Sequence, residues 1–387
     1  MPAISRRARA RLAYVAMFTA VGAQAPYFVL YYQLRGLDLG LIGPIVSLAA
    51  VAGLLASPAW GGVSDRLAGA PVVILGPALL AVAGIALLWV TTDYLAIAVG
   101  MAAVAAGMAG IAPIVEARGL ETSGDDRAGY GPLRAFGSLS FIVAAGVVGV
   151  GVDRWGVWAA LAGLVLAVVV TGLIGLTLRP AERPLIVDRP GLREIGALFA
   201  VPGLGLFLAG AALTWTTIAA VVGYYALRFS EIGAPATLVG LAFGLGAAIE
   251  VPMMTRFPWL AERFGANRLI VVGALLLAFR TLLAGVLTSA PLLVLVAGFG
   301  GFGFALTLVG GVTFVSRSAP PELQATAQGV FQGMTNSVGA IIAGLLTAAF
   351  AAPLGLGGLY VFLSGLGAIA ALLMGLAVTR QVIPSAA

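Results

Sequence analysis

Two charged residues, Glu250 and Arg280, each lie well inside a long apolar stretch of the sequence. A charge held at the middle of a bilayer costs roughly 3 kcal/mol or more, so such residues usually face a cavity and serve a function. Burial raises the pKa of a carboxyl group and a nearby arginine lowers it, so a solute that engages the arginine would couple its binding to that of a proton. We therefore interpret Arg280 as a solute-binding residue and Glu250 as a solute-binding and proton-carrying residue. The alternative is a buried ion pair that only holds two helices together.

A second acid and arginine, Glu116 and Arg134, lie near the ends of two earlier apolar stretches. One interpretation is a substrate site in which Glu116 also takes part in proton coupling. The other is an ion pair at the membrane interface, beside the polar segment 121–131. If both pairs bind solute, the site has one acid and one arginine in each half of the chain.

Neutral side chains give further candidates, because a polar residue in a membrane span must face protein or water. Aromatic rings with a polar group suit a sugar, an aromatic acid or a nucleoside base. The alternatives are helix packing, hydrogen bonding between helices, or an aromatic belt at the interface. We assign the candidates from three stretches to the substrate site: Gln24 and Tyr27, then Trp215, then Gln332 and Asn336, which follow Gln328 at intervals of four residues.

The composition is that of a membrane protein. Of 387 residues, 61% are hydrophobic and 9% are charged, with a mean hydropathy of +1.09, whereas about a quarter of a soluble domain is charged. There is no cysteine or histidine, which removes thiol chemistry and the commonest metal ligands and general base. We therefore expect no metal site, no cofactor and no enzymatic activity. Without lysine the chain has no phosphate-binding loop for ATP.

A crossing of the hydrocarbon core needs about 20 apolar residues. The sequence contains twelve such stretches, which predict an all-α membrane protein of two pseudo-symmetric six-helix halves. The predicted domains are 1–178, a cytoplasmic linker 179–198, and 199–387. The predicted spans are 12–34, 40–63, 71–91, 94–116, 130–151, 155–178, 199–227, 235–257, 268–288, 291–316, 323–349 and 356–379.

The positions of the arginines set the orientation, since cytoplasmic loops carry an excess of basic residues. With the N-terminus in the cytoplasm, most arginines lie on that side, and only Arg35, Arg154 and Arg228 lie outside. This topology explains the sequence pI of about 10.1 better than nucleic-acid binding does. We expect a multi-pass protein of the cell inner membrane, with both termini cytoplasmic and a retained first span.

Two short charged turns occupy equivalent places in the two halves, after the second and the eighth predicted span. The first, GGVSDRLAGA, contains Asp65 and Arg66, and the second, WLAERFGANR, contains Glu262 and Arg263. The repeat indicates a transporter built from two related halves. The alternative for these charges is an ordinary solvated loop.

Together these features resemble the major facilitator superfamily. The first turn has the spacing G-x-x-D-R-x-x-G from Gly62 to Gly69, and GYGPLRAFGSLSF at 129–141 is similar to the fifth span of lactose and phenylpropionate permeases. Glu116 and Arg134 are 18 residues apart, as are an acid and an arginine in lactose permease. The resemblance implies that the turn charges act as gate latches. The predicted tenth span lacks the histidine and glutamate of lactose permease, which favours the phenylpropionate- or nucleoside-permease branch.

The sequence therefore predicts a secondary transporter that moves a sugar, an aromatic acid or a nucleoside by alternating access, most simply by proton symport. Its partners would be the solute, the proton and the lipid bilayer, and we expect a monomer. The first alternative is a proton-driven multidrug or metabolite exporter of the same fold. A receptor or scaffold without transport activity would normally carry an added soluble domain, which this sequence lacks.

Overall fold

A computed structural model of the protein describes residues 5–67, 72–123, 130–178 and 192–380. Throughout these residues the regular structure is helical. It includes a 3₁₀ turn, Pro321–Leu323, and a π-helical turn, Gly333–Val338. The α-helices of the described residues are α1 (Arg6–Gln24), α2 (Phe28–Leu34), α3 (Leu39–Arg66), α4 (Val72–Val90), α5 (Tyr94–Ser123), α6 (Tyr130–Trp155), α7 (Trp158–Thr177), α8 (Leu192–Ala200), α9 (Leu204–Glu231), α10 (Ala236–Phe264), α11 (Ala266–Val286), α12 (Ala290–Ser318), α13 (Gln324–Gln332) and α14 (Gly339–Arg380).

Ten helical stretches in the described residues are long and apolar enough to cross a membrane, or eleven if α1 and α2, which meet at a bend of 40°, form one span. The last of the ten runs for 55 residues, from Thr326 to Arg380. Gly355 interrupts it with a left-handed backbone conformation (φ 66°, ψ 171°). The protein is therefore an all-helical, multi-pass membrane protein.

Acidic residues begin two of the membrane helices. The Asp38 carboxylate accepts a hydrogen bond from the Leu41 amide at 2.9 Å, and the Asp93 carboxylate accepts one from the Ala96 amide at 2.8 Å. Each carboxylate satisfies an amide that has no partner in the first turn of a helix. These two caps define the starts of α3 and α5.

Two arginines hold the ends of other membrane helices. Arg35 donates to the carbonyls of Leu88 at 2.9 Å and Trp89 at 3.1 Å, at the end of α4. Arg9 donates to the carbonyl of Thr177, the last residue of α7, at 2.9 Å. Cations are favourable at helix C-termini, where carbonyl groups lack partners. The placement of Arg35 outside the predicted cytoplasmic side thus has a structural reason.

Contacts divide the chain into two compact units. The first contains residues 1–187 and 223–244, and the second contains residues 188–222 and 245–387. In the first unit α1 packs against α5, α6 and α7, while α5 also packs against α3 and α4. A methyl group on Gly107 of α5 would lie 2.5 Å from the Pro77 carbonyl oxygen of α4. Only glycine allows so close an approach of these two helices.

Residues 223–244, the end of α9 and the start of α10, pack on α6 within the first unit. Asp153 accepts hydrogen bonds from the Ala236 amide at 2.6 Å and the Thr237 amide at 2.9 Å, and it also bonds the Thr237 hydroxyl. One turn further along α10, a methyl group on Gly240 would lie 2.7 Å from the Ala145 carbonyl oxygen. A helix cap and a close helix contact therefore hold α10 to α6.

The second unit is built around α11, which packs against α12 and α14. Its core contains stacked aromatic rings, with the centroids of Phe207 and Phe314 4.1 Å apart. Phe331 of α13 packs on the same cluster, and α8 contributes the buried Leu198. Part of the predicted linker, residues 192–198, thus belongs to a helix, which is anchored in this unit by Leu198.

Candidate functional site

Arg280 is buried in the second half of α11, with 7% of its surface exposed. A methyl group on Gly300 of the neighbouring helix α12 would lie 3.2 Å from Arg280 Nε and 3.4 Å from Cζ. The absence of a side chain at Gly300 therefore leaves room for the guanidinium group. A cation inside an apolar membrane helix is costly, so residues of this kind usually face a cavity or a partner and serve a function.

The next residue of α12, Gly301, contacts α10 at the level of Glu250. A methyl group on Gly301 would overlap the Gly246 carbonyl oxygen and lie 3.2 Å from the Glu250 amide nitrogen. The backbones of α10 and α12 thus meet at this crossing. Successive residues of a helix point about 100° apart, so Arg280 and the Glu250 backbone lie on two sides of α12 at one level.

The register between α11 and α12 supports this placement. Gly303 lies beside Leu277, and Gly310 lies beside Ile270, as expected for antiparallel helices in continuous contact. The same register places Gly300 beside Arg280. The Glu250 side chain is half-buried. The structure therefore brings the predicted acid and arginine of the second half to the same depth around one helix.

A polar pair lies at the π-helical turn after α13. The Asn336 amide donates to Gln332 Oε1 at 2.7 Å, and both side chains are exposed. Methyl groups on Gly329 and Gly333 would meet no atom within 4 Å, so this face borders open space. π-Helical turns are rare and occur often at functional sites. Gln332 and Asn336 remain candidates for solute binding.

Gln328, one turn earlier, has a different role. Its amide donates to the Val312 carbonyl at 2.9 Å and to the Ser316 hydroxyl at 2.8 Å, both on α12. Hydrogen bonding between helices was the alternative to solute binding for the polar stripe formed by Gln328, Gln332 and Asn336, and Gln328 follows this alternative. The stripe therefore divides into a bond between helices at Gln328 and an open polar pair beyond it.

Two of the aromatic candidates are used in packing. Tyr27 is fully buried, and its hydroxyl donates to the Ala145 carbonyl of α6. Trp215 is buried between Phe304 and Phe331, with ring centroids 6.0 and 5.9 Å away. These contacts favour the packing alternative for both residues in this structure.

Three candidates from the first half of the chain remain, namely Gln24, Glu116 and Arg134. Gln24, the last residue of α1, is half-buried, as is Glu116 on α5. Arg134 lies in the second turn of α6, and its side chain is outside the described part of the structure. Both interpretations of Glu116 and Arg134, a substrate site and an interfacial ion pair, stay predictions.

Residues 8–352 match the profile of the MFS_1 like family, of the major facilitator superfamily. The chain belongs to this family. It is thus a membrane transporter and not an enzyme. A maltose permease of Geobacillus stearothermophilus is 27% identical over 366 residues, which are 94% of this chain and 92% of the permease. A probable 3-phenylpropionic acid transporter of Escherichia coli (strain K12) is 26% identical over 222 residues, 56% of this chain and 58% of that protein.

Solved structures show the same fold. A variant of the nucleoside transporter NupG superposes with a TM-score of 0.84 at 18% identity, covering 96% of this chain and 99% of that one. A peptide transporter of the POT family superposes with a TM-score of 0.76 at 15% identity, covering 98% and 97%. At these identities the likeness establishes the major facilitator fold alone.

The charged turns of this family member lie at helix ends. In the second turn, α10 ends at Phe264, Gly265 has a left-handed backbone (φ 85°), and α11 begins at Ala266. Such a reversal favours glycine. Glu262 and Arg263 are exposed on the last turn of α10.

In the first turn, Arg66 is exposed at the end of α3. The Asp65 side chain and Gly69 lie outside the described part of the structure. The gating role of both turns stays a prediction.

Sequence reasoning missed three features of the structure. These are the glycines that flank Arg280 and Glu250, the π-helical turn, and the cap from Asp153. The glycine-rich run GFGGFG at 298–303 was a usable signal, since glycines of membrane helices mark close helix contacts. In the described residues no cluster of three or more acidic residues could hold a metal ion.

Proposed function

We propose that this protein is a secondary transporter that takes up a small organic solute together with a proton. The observation that carries the proposal is the placement of Arg280 and Glu250 at one level around α12, inside the membrane helices. An acid and an arginine held there can bind a solute and a proton in one place. Transport would follow alternating access, in which two halves expose the site in turn.

The architecture behind this proposal has twelve spans. The bent pair α1 and α2 serves as one span. The stretch Thr326–Arg380 serves as two, because an unbroken helix of its 55 residues would be about 80 Å long, against a hydrocarbon core of about 30 Å. The break at Gly355 then divides it into two segments of suitable length. The halves would be 1–178 and 199–387, joined by a cytoplasmic linker at 179–198.

The solute is a sugar, an aromatic acid or a nucleoside. The support comes from relatives whose names specify maltose, 3-phenylpropionic acid and nucleosides. These solutes share a compact size and polar groups able to accept hydrogen bonds from a guanidinium group. Arg280 and, in the other half, Arg134 would supply those donors. A lipophilic cation, the usual cargo of drug exporters, would be repelled by them.

Glu250 would carry the coupled proton, with Glu116 as the second candidate. A solute that engages Arg280 weakens the attraction between this arginine and the Glu250 carboxylate, and so favours proton binding at Glu250. Proton binding at Glu250 in turn leaves Arg280 available to the solute. The two binding events then favour each other, which is the thermodynamic requirement for symport. With no histidine in the sequence, a carboxylate is the available group for this role. The protein would act as a monomer in the cell inner membrane, with both termini cytoplasmic.

The test is a screen of solute-driven pH change in proteoliposomes. The purified protein is reconstituted without a membrane potential, and sugars, nucleosides and aromatic acids are added one at a time. Alkalinisation of the external medium with one class supports proton symport and identifies the class. Solute uptake without any pH change contradicts proton coupling, and outward, proton-driven movement of these or lipophilic solutes indicates an exporter instead.

A further inference from the structure

The segment that contains the π-helical turn has two different faces. One face is buried and contains Phe331, Thr335 and Gly339, of which Gly339 lies against Trp215. The other face is exposed and contains Gln332 and Asn336. The exposed face therefore belongs to a membrane span, but it is not apolar.

This exposed face lies near the middle of the membrane. Asn336 is ten residues beyond Thr326, where the apolar stretch begins, a distance of about 15 Å along a helix. The Phe331 ring lies beside Gly311 of α12, which places Asn336 at the level of Leu306. That level is about 9 Å along α12 from Gly300 and Arg280. The polar pair and the charged site thus lie in one unit, less than two helical turns apart in depth.

Hydrocarbon is a poor environment for two primary amides. A polar group without hydrogen-bond partners costs several kcal/mol in lipid. Within the described part of the chain the Gln332 and Asn336 amides bond each other, and this bond leaves most of their hydrogen-bonding capacity unused. The adjacent Gly329 and Gly333 leave open space beside the pair. We therefore infer that the pair borders water, with room for a ligand.

The hydrogen bond between the amides determines what the pair offers to a ligand. With Asn336 Nδ2 donating to Gln332 Oε1, the Gln332 amide nitrogen remains a donor and the Asn336 oxygen remains an acceptor. Reversal of both amides leaves the same combination, one donor and one acceptor side by side. This combination carries no charge and suits neighbouring hydroxyl groups, one accepting a hydrogen bond and the other donating one.

We propose that Gln332 and Asn336 form a subsite for a vicinal diol of the transported solute. This proposal rests on the proposed function, and it selects sugars and ribonucleosides over aromatic acids. The Gln332 amide would donate to one hydroxyl oxygen, and the second hydroxyl would donate to Asn336 Oδ1. The π-helical turn would set the distance between the two amides, because its i→i+5 hydrogen bonds give a wider turn than that of an α-helix.

The experiment measures equilibrium binding by titration calorimetry to the full-length protein purified in detergent. The probes are maltose, uridine, 2′,3′-dideoxyuridine, which keeps the base of uridine and lacks the diol, and 3-phenylpropionate as the aromatic acid. The variants are Gln332→Leu and Asn336→Leu. Gln328→Leu is the matched control, since it removes an amide of the same helix that bonds α12. The thermal midpoint of each variant reports its folding.

We expect Gln332→Leu and Asn336→Leu to weaken binding of a diol-bearing probe by about five- to tenfold. Dideoxyuridine should bind the wild type and the Gln332→Leu and Asn336→Leu variants with the same affinity, which should be lower than that of the wild type for uridine. Gln328→Leu should lower the thermal midpoint and leave the preference for the diol unchanged. If both leucine variants lose affinity equally for uridine and for dideoxyuridine, the amides contact the base and the diol subsite is wrong. Unchanged affinity of the variants for a diol-bearing probe would also overturn the subsite.

The outcomes separate this proposal from the proposed function. If wild-type protein binds or transports an aromatic acid and neither diol-bearing probe, the transporter assignment stands and the diol subsite is wrong. If folded wild-type protein binds none of the three solute classes, both proposals fail. If a diol-bearing probe binds and the two leucine variants behave as wild type, only the subsite fails.

Discussion

Gly300 of α12 lies against the guanidinium group of Arg280, so that an added methyl group would come within 3.2 Å of Nε. The position of a membrane-buried cation is thus set partly by the absence of a side chain on a neighbouring helix. The adjacent Gly301 sets the approach of α10, which carries Glu250. Two successive glycines therefore place the charges on which the proposed transport mechanism depends.

Replacement of Gly300 by alanine tests the first of these contacts. The methyl group would meet a flexible side chain, which shifts, so we expect the protein to fold with a thermal midpoint within a few degrees of wild type. Displacement of Arg280 should weaken solute binding several-fold. Calorimetric binding of the transported solute and a thermal melt check this, with Gly365→Ala as the control because a methyl group there meets open space. Unchanged affinity would contradict a role of the Gly300 contact in positioning Arg280 for the solute.

Gly301→Ala should act on stability instead. Its methyl group would overlap the Gly246 carbonyl oxygen, and backbone cannot move as a side chain does. Over-packing of this kind costs typically 1–3 kcal/mol. We expect a clear fall in the thermal midpoint and in the yield of folded protein, and a midpoint equal to that of Gly300→Ala would contradict the close crossing of α10 and α12.

Asp153→Ala should loosen the start of α10 from α6. The carboxylate caps the amides of Ala236 and Thr237, and loss of such a cap costs about 0.5–2 kcal/mol. Hydrogen exchange followed by mass spectrometry should show faster exchange in residues 236–240. Asp38→Ala removes a cap of the same kind on α3 and should leave residues 236–240 protected. Equal exchange in wild type and Asp153→Ala would exclude a role of the cap in holding the two helices.

Gly355 should tolerate substitution poorly. Its backbone has a positive φ (φ 66°, ψ 171°), a conformation that is essentially restricted to glycine and costs another residue roughly 1–3 kcal/mol. Gly355→Ala should therefore lower the thermal midpoint, whereas Gly365→Ala, within a regular helix and in open space, should raise it or leave it unchanged. The opposite order would show that α14 continues through this point as one helix.

Much of the fold could be predicted from the sequence because membrane helices consist of long runs of apolar residues. The predicted run 12–34 became α1 and α2, bent beside Pro26, which has no amide hydrogen to donate. The run 199–227 was placed too early at its start, since α8 ends at Ala200 and α9 begins at Leu204. Gly203 between them has a left-handed backbone (φ 80°), which hydropathy does not report.

The candidate site could be predicted only in part. Charges inside apolar runs stand out, so Glu250 and Arg280 were identified as a pair from residue type and depth. Whether a neutral polar residue packs or faces water depends on helix rotation and on the neighbouring helix, which one sequence does not specify. For that reason Tyr27 and Trp215 were candidates beside Gln332 and Asn336, and only tertiary contacts separate them.

The most direct test of the account is the Glu250→Gln variant in proteoliposomes, assayed both for exchange and for accumulation of the solute identified in the pH screen. A neutral amide keeps the size of the side chain but cannot bind and release a proton. We predict that this variant exchanges solute across the membrane at a measurable rate and fails to accumulate it in response to a pH gradient. Glu322→Gln, which changes an exposed acid of the 3₁₀ turn, should accumulate solute as wild type does. Accumulation by Glu250→Gln at the wild-type level would contradict the assignment of Glu250 as the proton carrier.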